Sequence, residues 1–283
     1  MFCFQLNIII ISKMDDMIRK ASFNGGILHM EFSESDLLMC IGNTLHILNM
    51  NGLIREDVLL PSNEVKEILK FKDIVFLEIE TYGHYYFKID NPILVKIECR
   101  IEKIHVGNNV IFSHGCGISF LDIQTFQPWH IVTMPSKIVD FAEVGSDIYV
   151  LVEDHLCLVQ YLARNRKEVS IKSIGFLSHL KFVSATSNKL DLLILESNYE
   201  LILYRGETLK SIRKGKNYRG FKIFNTILIF LLSDGIEMYS LNSHRTLVKL
   251  YFPPKAIAYD SHRKILWLYS DFLYEVDVSK LAI

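Results

Sequence analysis

Little in this chain belongs to the vocabulary of metal binding, covalent cross-linking or phosphate chemistry. Its five cysteines, Cys3, Cys40, Cys99, Cys116 and Cys157, are odd in number and form no C-x-x-C pair. That excludes a disulfide framework or a zinc knuckle as the organising device, and it points to a reducing compartment. Most of the five sit in apolar strand contexts, where free cysteine acts as a small hydrophobe. Six prolines and fourteen glycines are too few for low-complexity linkers. With a formal net charge of -1, the chain as a whole is no electrostatic glove for nucleic acid. No P-loop, no G-x-G-x-x-G opening a helix, no H-E-x-x-H and no G-x-S-x-G occurs. The ten histidines are scattered singly, so neither a metal site nor a cofactor is expected.

A membrane-spanning run is also missing. The mostly apolar stretch from Phe2 to Ile11, with Ile8-Ile9-Ile10-Ile11 at its heart, is too short to cross a bilayer. It lacks the basic start and small-residue cleavage site of a signal peptide. It reads as an extra strand or an upstream extension, with Met14 as the natural start. Residues 1–17 are therefore taken as an N-terminal extension, and no membrane is expected among the partners.

What the chain does have is repetition. An apolar β run, a tight polar turn and a second β run recur roughly every 40 residues from end to end. The turns are Gly42-Asn43, Tyr82-Gly83, Gly115-Cys116, Glu153-Asp154, Ser197-Asn198, Asp234-Gly235 and Ser270-Asp271. A fixed period of this size, built from short strands, is the signature of a β-propeller. Half of the residues are hydrophobic, enough to bury a large core.

Four antiparallel strands are expected per blade, the inner ones more apolar than the outer. Second strands such as Ile227-Leu228-Ile229-Phe230-Leu231-Leu232 are apolar throughout and suit burial on both faces. Third strands such as Ile236-Glu237-Met238-Tyr239 alternate and suit half-burial. Seven blades can be laid out over residues 18–283, the seventh without a full outer strand. The segment from Ile18 to Phe23 has no blade of its own. The expected fold is thus all-β, a seven-bladed propeller whose ring is closed by an N-terminal strand. A six-bladed ring with a loose end is the alternative.

Few side chains hint at chemistry. His114-Gly115-Cys116-Gly117 could be a Cys/His nucleophile pair, but its glycines are what a hairpin turn requires, and the turn is the favoured reading. The carboxylate pairs Asp15-Asp16 and Glu56-Asp57 lie in turn or outer-strand contexts and have nothing to split their proton affinities.

Charge placement carries more. Residues 160–222 hold thirteen basic side chains against five acidic ones, in a chain with a total of -1. The densest run spans Lys210 to Lys222, with Arg213, Lys214, Lys216 and Arg219 at its heart and Tyr218 among the charges. A solvated outer strand and loop explains this run as well as a patch facing the phosphates of RNA does.

Ser233-Asp234-Gly235-Ile236-Glu237-Met238-Tyr239 has the form of a WD-repeat turn and third strand, ending in an aromatic residue where the motif usually has Trp. No Gly-His pair precedes a blade and no Trp-Asp pair occurs. The chain resembles a diverged WD-repeat propeller. A narrower resemblance runs from about Ile118 to Leu241. The string Phe126-Gln127-Pro128-Trp129-His130-Ile131-Val132-Thr133-Met134-Pro135-Ser136-Lys137 is similar to a segment of the non-catalytic WD-repeat subunit of the eukaryotic tRNA guanine-N7 methyltransferase. So is Ile174-Gly175-Phe176-Leu177-Ser178-His179-Leu180, with Phe176 where that family has His. The hairpin Glu196-Ser197-Asn198-Tyr199-Glu200-Leu201-Ile202-Leu203 falls where that family contacts its catalytic partner. It keeps the acidic start but lacks the turn Arg and the basic strand, which moves the contact to Lys181, Lys189 or Arg205.

The resemblance implies a non-enzymatic scaffold, in nucleus or cytoplasm, that stabilises a separate methyltransferase subunit and helps to seat tRNA. The residues expected to meet partner or RNA are Lys181, Lys189, Arg205, Arg213, Lys214, Lys216 and Arg219. A general interaction scaffold, for ribosome assembly or a vesicle coat, is the alternative, since propellers host many functions. An enzyme is disfavoured, because loops such as Asn24-Gly25-Gly26 and Pro253-Pro254 carry no convergent acid, base or metal set.

Overall fold

The structure, a computed structural model, describes residues 9–11, 18–21, 27–33, 36–49, 54–153, 155–161, 169–174, 182–187, 193–197, 200–205, 208–215, 217–224, 226–260 and 262–280. Two strands, β1 (Ile9–Ile11) and β2 (Ile18–Ala21), precede the first blade. Blade one is β3 (Ile27–Ser33), β4 (Asp36–Ile41), β5 (Thr44–Asn49) and β6 (Ile54–Leu59). Blade two is β7 (Val65–Phe71), β8 (Ile74–Ile79), β9 (Gly83–Lys88) and β10 (Asn91–Lys96). Blade three is β11 (Lys103–Val106), β12 (Val110–His114), β13 (Gly117–Leu121) and β14 (Pro128–Thr133). Blade four is β15 (Ile138–Val144), β16 (Asp147–Val152), β17 (His155–Tyr161) and β18 (Val169–Ser173). Blade five is β19 (Phe182–Ser187), β20 (Leu193–Ser197), β21 (Glu200–Arg205) and β22 (Thr208–Lys214). Blade six is β23 (Gly220–Phe224), β24 (Ile227–Leu231), β25 (Ile236–Ser240) and β26 (Arg245–Leu250). Blade seven is β27 (Ala256–Asp260), β28 (Ile265–Tyr269) and β29 (Leu273–Asp277).

Each blade is an antiparallel meander, and the fold is a seven-bladed β-propeller. All seven expected turns join the second strand of a blade to its third, with Asp154 and Asn198 outside the described residues. Gly42 and Gly115 take φ of 57° and 60°, the left-handed region that tight hairpins need and that glycine enters freely. Blade seven gains its missing outer strand from β2, antiparallel to β29. That is the expected closure, and it covers an edge that would otherwise be open. The isoleucine-rich start supplies an extra strand: β1 lies parallel to β26 as a fifth member of blade six.

The chain forms two compact units, Met1–Lys96 with Asn217–Ile283, and Ile97–Lys216. In the first, which holds blades one, two, six and seven, β3 lies against β7 and β27. Its cores interleave neighbouring blades: Leu38, Leu45 and Ile47 with Val75, Leu77 and Phe87; Met30 and Met39 with Ala258 and Trp267; Met238 and Val248 with Tyr259 and Leu266. In the second unit β15 lies against β11 and β19. There Ile118 and Val132 pack on Phe141 and Val150, and Leu151 and Leu156 on Leu193 and Ile202. The second strands are the most apolar, as β4 shows with every position buried. A strand covered on both faces by adjacent blades has no solvent side to alternate toward.

The first strands, where consecutive blades approach one another, also carry charged residues: Glu31, Lys103, Asp140, Glu143 and Lys222. One expectation about burial needs correcting. The alternating third strand β25 does not turn its acid to water. Glu237 is buried at 6% exposure, accepts from Thr246 Oγ1 at 2.7 Å and lies 3.6 Å from Lys249 Nζ. A buried carboxylate is tolerable once its oxygens are paired in this way.

Candidate interaction surface

The basic run of residues 210–222 is divided by the structure into three different roles. Its first part is β22, the outer strand of blade five. Lys214 pairs in register with Glu200, Arg213 with Leu201 and Lys210 with Leu203. A one-residue bulge at Ile212 separates Arg213 from Ser211. Without it, Lys210 and Arg213 would point to opposite faces; with it, they share one. Lys210 and Lys214 are exposed and Arg213 is half-buried. The hairpin that leads into this pair is fixed at its turn: Ser197 Oγ donates to Glu200 O at 3.0 Å and accepts from Glu200 N at 2.9 Å.

The later part of the run belongs to the first unit and does not add to a patch. Arg219 is exposed, yet its Nε donates to Leu232 O at 3.1 Å and its Nη2 to Pro254 O at 3.4 Å. Tyr218, which lies among the charges in the sequence, is buried against Phe230 and Phe221, with ring centroids 5.4 and 6.1 Å away. Lys222 turns inward. Its Nζ donates to Met30 O at 3.0 Å and Ile257 O at 3.3 Å, and meets Glu31 Oε2 at 3.2 Å. Three acceptors answer the three hydrogens of one ammonium, so Lys222 ties the first strands of blades six, seven and one together. Its charge also reaches His29, which it helps burial to hold neutral below the ordinary histidine pKa.

Of the other residues expected to meet a partner, Arg205 ends β21 opposite Thr208. Lys181, Lys189 and Lys216 lie outside the described residues. In the second unit β18 of blade four also presents Ser170, Ile171, Lys172 and Ser173 to solvent.

Inside the second unit, sequence reasoning missed a paired charge network. Lys103 Nζ on β11 lies 2.6 Å from Asp140 Oδ1 on β15, a carboxylate only 1% exposed. Three residues along β15, Glu143 Oε2 accepts from Asn109 N at 2.9 Å and its Oε1 from Asn109 Nδ2 at 2.5 Å. A Cβ on Gly107 would sit 2.6 Å from the same carboxylate oxygen, so a larger residue there would push that oxygen off its Asn109 partner. Burial raises the Glu143 pKa and the asparagine bonds pull it back. His105, next to Lys103, is driven down to about 4, by burial first and the lysine charge second. A carboxylate and a cation that saturate one another across two blades act as a fastener, not as an acid–base pair.

The string around Cys116 is a hairpin turn. His114 Nε2 pairs with Ser119 Oγ at 3.1 Å, and a Cβ on Gly117 would clash with the His114 ring at 2.6 Å. Cys99, Arg100, Phe112, His114, Gly115 and Pro128 line a cavity of about 310 Å³. Its thiol is not activated: burial raises the Cys99 pKa, which leaves less nucleophilic thiolate. Arg100 is engaged by Glu102 at 3.0 Å. Among the described residues no group of three His, Cys, Asp or Glu side chains could hold a metal ion.

No family model matches the chain, and no curated protein matches it. Solved structures do. The CNH domain of AfRom2 aligns with a TM-score of 0.61 and 12% identity over 92% of this chain and 97% of that one. The computationally designed Ika8 protein aligns at 0.59 and 12% over 91% and 97%. PorZ, a surface component of the type-IX secretion system of Porphyromonas gingivalis, aligns at 0.62 and 10% over 89% of this chain but 36% of its own. At such identities the likeness is one of fold alone. The WD-repeat and methyltransferase-subunit resemblances therefore rest on the residues of this sequence, and the fold that the comparisons support is the seven-bladed β-propeller.

Proposed function

We propose that this propeller is a scaffold subunit of an RNA-processing complex, and most specifically the accessory subunit that stabilises a tRNA guanine-N7 methyltransferase, in nucleus or cytoplasm. The observation that carries the reading is β22. The bulge at Ile212 gathers Lys210 and Arg213 on one face of an outer strand, with Lys214 on the other, next to the hairpin that resembles the partner-contacting one of that subunit. Outer strands present cations to partners without costing core packing, and phosphate or an acidic protein surface is what such a strand attracts. In this account the chain contributes binding and no reaction chemistry.

A second reading, a general protein-interaction scaffold, is favoured by a different observation. In blades one and two the outer strands leave Leu59, Ile93 and Val95 exposed at 71%, 64% and 39%, the kind of apolar surface that protein partners cover.

The test is charge reversal in the full chain. Arg213→Glu with Lys214→Glu should weaken binding of the methyltransferase subunit or of tRNA by tenfold or more at low salt. The dependence of RNA affinity on salt should become shallower, by about one phosphate for each cation removed. Unchanged affinity at low salt, with the fold intact, would remove the support from β22 and leave the general-scaffold reading.

A further inference from the structure

Blade six alone among the described sheets carries five strands, and its fifth is the only parallel pairing among them. Ile9 stands opposite Val248, Ile10 opposite Lys249 and Ile11 opposite Leu250. We infer that the outer edge of β26 is a strand-docking site for an extended, uncharged, β-branched peptide lying parallel to it, and that residues 9–11 occupy it as an internal ligand.

The side chains of β26 are already committed. Val248 and Leu250 are buried in the core shared by blades six and seven, and Lys249 Nζ lies 3.6 Å from Glu237. What β26 offers outward is its row of main-chain N–H and C=O groups, which selects a strand by backbone shape and by how cheaply it gives up water. Charged residues and proline fail that selection; a β-branched run passes it. The chain's own occupant has that character, with four successive isoleucines at 8–11. The bulge at Leu247 falls just before the paired stretch and leaves 248–250 regular.

Two features make the occupant exchangeable. A parallel ladder of three register pairs yields few hydrogen bonds, and their net gain is of the same size as the entropy lost in ordering the segment. In addition β26 runs for six residues, Arg245–Leu250, and β1 covers three of them. A partner strand that pairs over the whole length has more edge to use and would displace the internal one. This inference is independent of the cationic strand of blade five, so either can fail alone.

The test compares the full-length chain with its Ile10→Pro variant, in which the internal strand loses a donor and its geometry. The probe is a labelled synthetic peptide carrying residues 4–12 of this sequence, which hold no charged side chain. It should bind the variant at least tenfold more tightly than the unaltered chain. Amide exchange at Lys249, between two residues whose main chain faces β25, should speed up in the variant and slow again when the peptide is added. A peptide with its own Ile10→Pro change should bind neither. Equal affinity for both chains, no binding to the variant, or binding of the altered peptide would each overturn the inference. A doubled mass of the unaltered chain in sedimentation would overturn it too, because the occupant would then come from a second copy.

Discussion

Burial of single polar residues decides how this propeller responds to acid. His84 on β9 is buried and pushed down to about 4 by loss of solvation. Its Nε2 finds no hydrogen-bond partner, and Glu78 at 3.8 Å is too far to supply one. His105 is held at about 4 by burial and by Lys103. In both cases the folded pKa lies below the ordinary 6.5. As pH falls from 6.5 toward 4, the unfolded chain takes up protons that the folded chain refuses. The stability that these neutral imidazoles provide is complete above pH 6.5 and is lost through that window. Each should cost about 2–3 kcal/mol between pH 7.5 and 4.5. Chemical denaturation at the two pH values checks this, and His84→Leu should remove about half of the slope. A midpoint equal at both values would contradict the burial of these two rings as neutral species.

Strands carry the next level, and their regular part could be read directly from residues. The apolar runs around Phe76 and Ile229 have no other plausible setting than a strand covered on both sides, and β7, β8 and β28 begin and end where the pattern does. Bulges could not be read. They recur between the third and outer strands of blades one, two, three, five, six and seven, yet Arg55, Ile212 and Leu247 at or near them share no residue type. A bulge is a register event between two strands, so one strand's sequence does not announce it. For the same reason the shared face of Lys210 and Arg213 was invisible in the sequence, where the two appear simply as members of a basic run. Arg219 and Lys222 looked like further members of that run. Only the carbonyls around them, contributed by residues 13 to 192 positions away, show that they are fasteners. Close approach of strands also gives one glycine a special cost. A Cβ on Gly235 would sit 2.0 Å from Leu250 O, a main-chain atom that cannot swing aside. Gly235→Ala should therefore lower stability by about 1–3 kcal/mol through strain in blade six, read as a shifted denaturation midpoint. An unchanged midpoint would show that β25 and β26 can separate there at no cost.

For the whole molecule, the N-terminal residues serve two blades that the rest of the chain builds last. β2 completes blade seven, and β1 adds to blade six, so early sequence covers edges of late sheets. Such closure leaves outer strands as the surfaces a partner can reach, and in this chain those strands divide into a cationic one in blade five and apolar ones in blades one and two. The role proposed for the cationic strand is to meet a methyltransferase partner acting on tRNA. The most direct test is purification of the tagged full-length chain from its own cells, with mass spectrometry of what accompanies it and an assay of N7-methylguanosine in tRNA after the chain is depleted. The account predicts a stoichiometric Rossmann-type methyltransferase and loss of the modification. Ribosome-assembly or coat proteins in its place, with the modification intact, would contradict it.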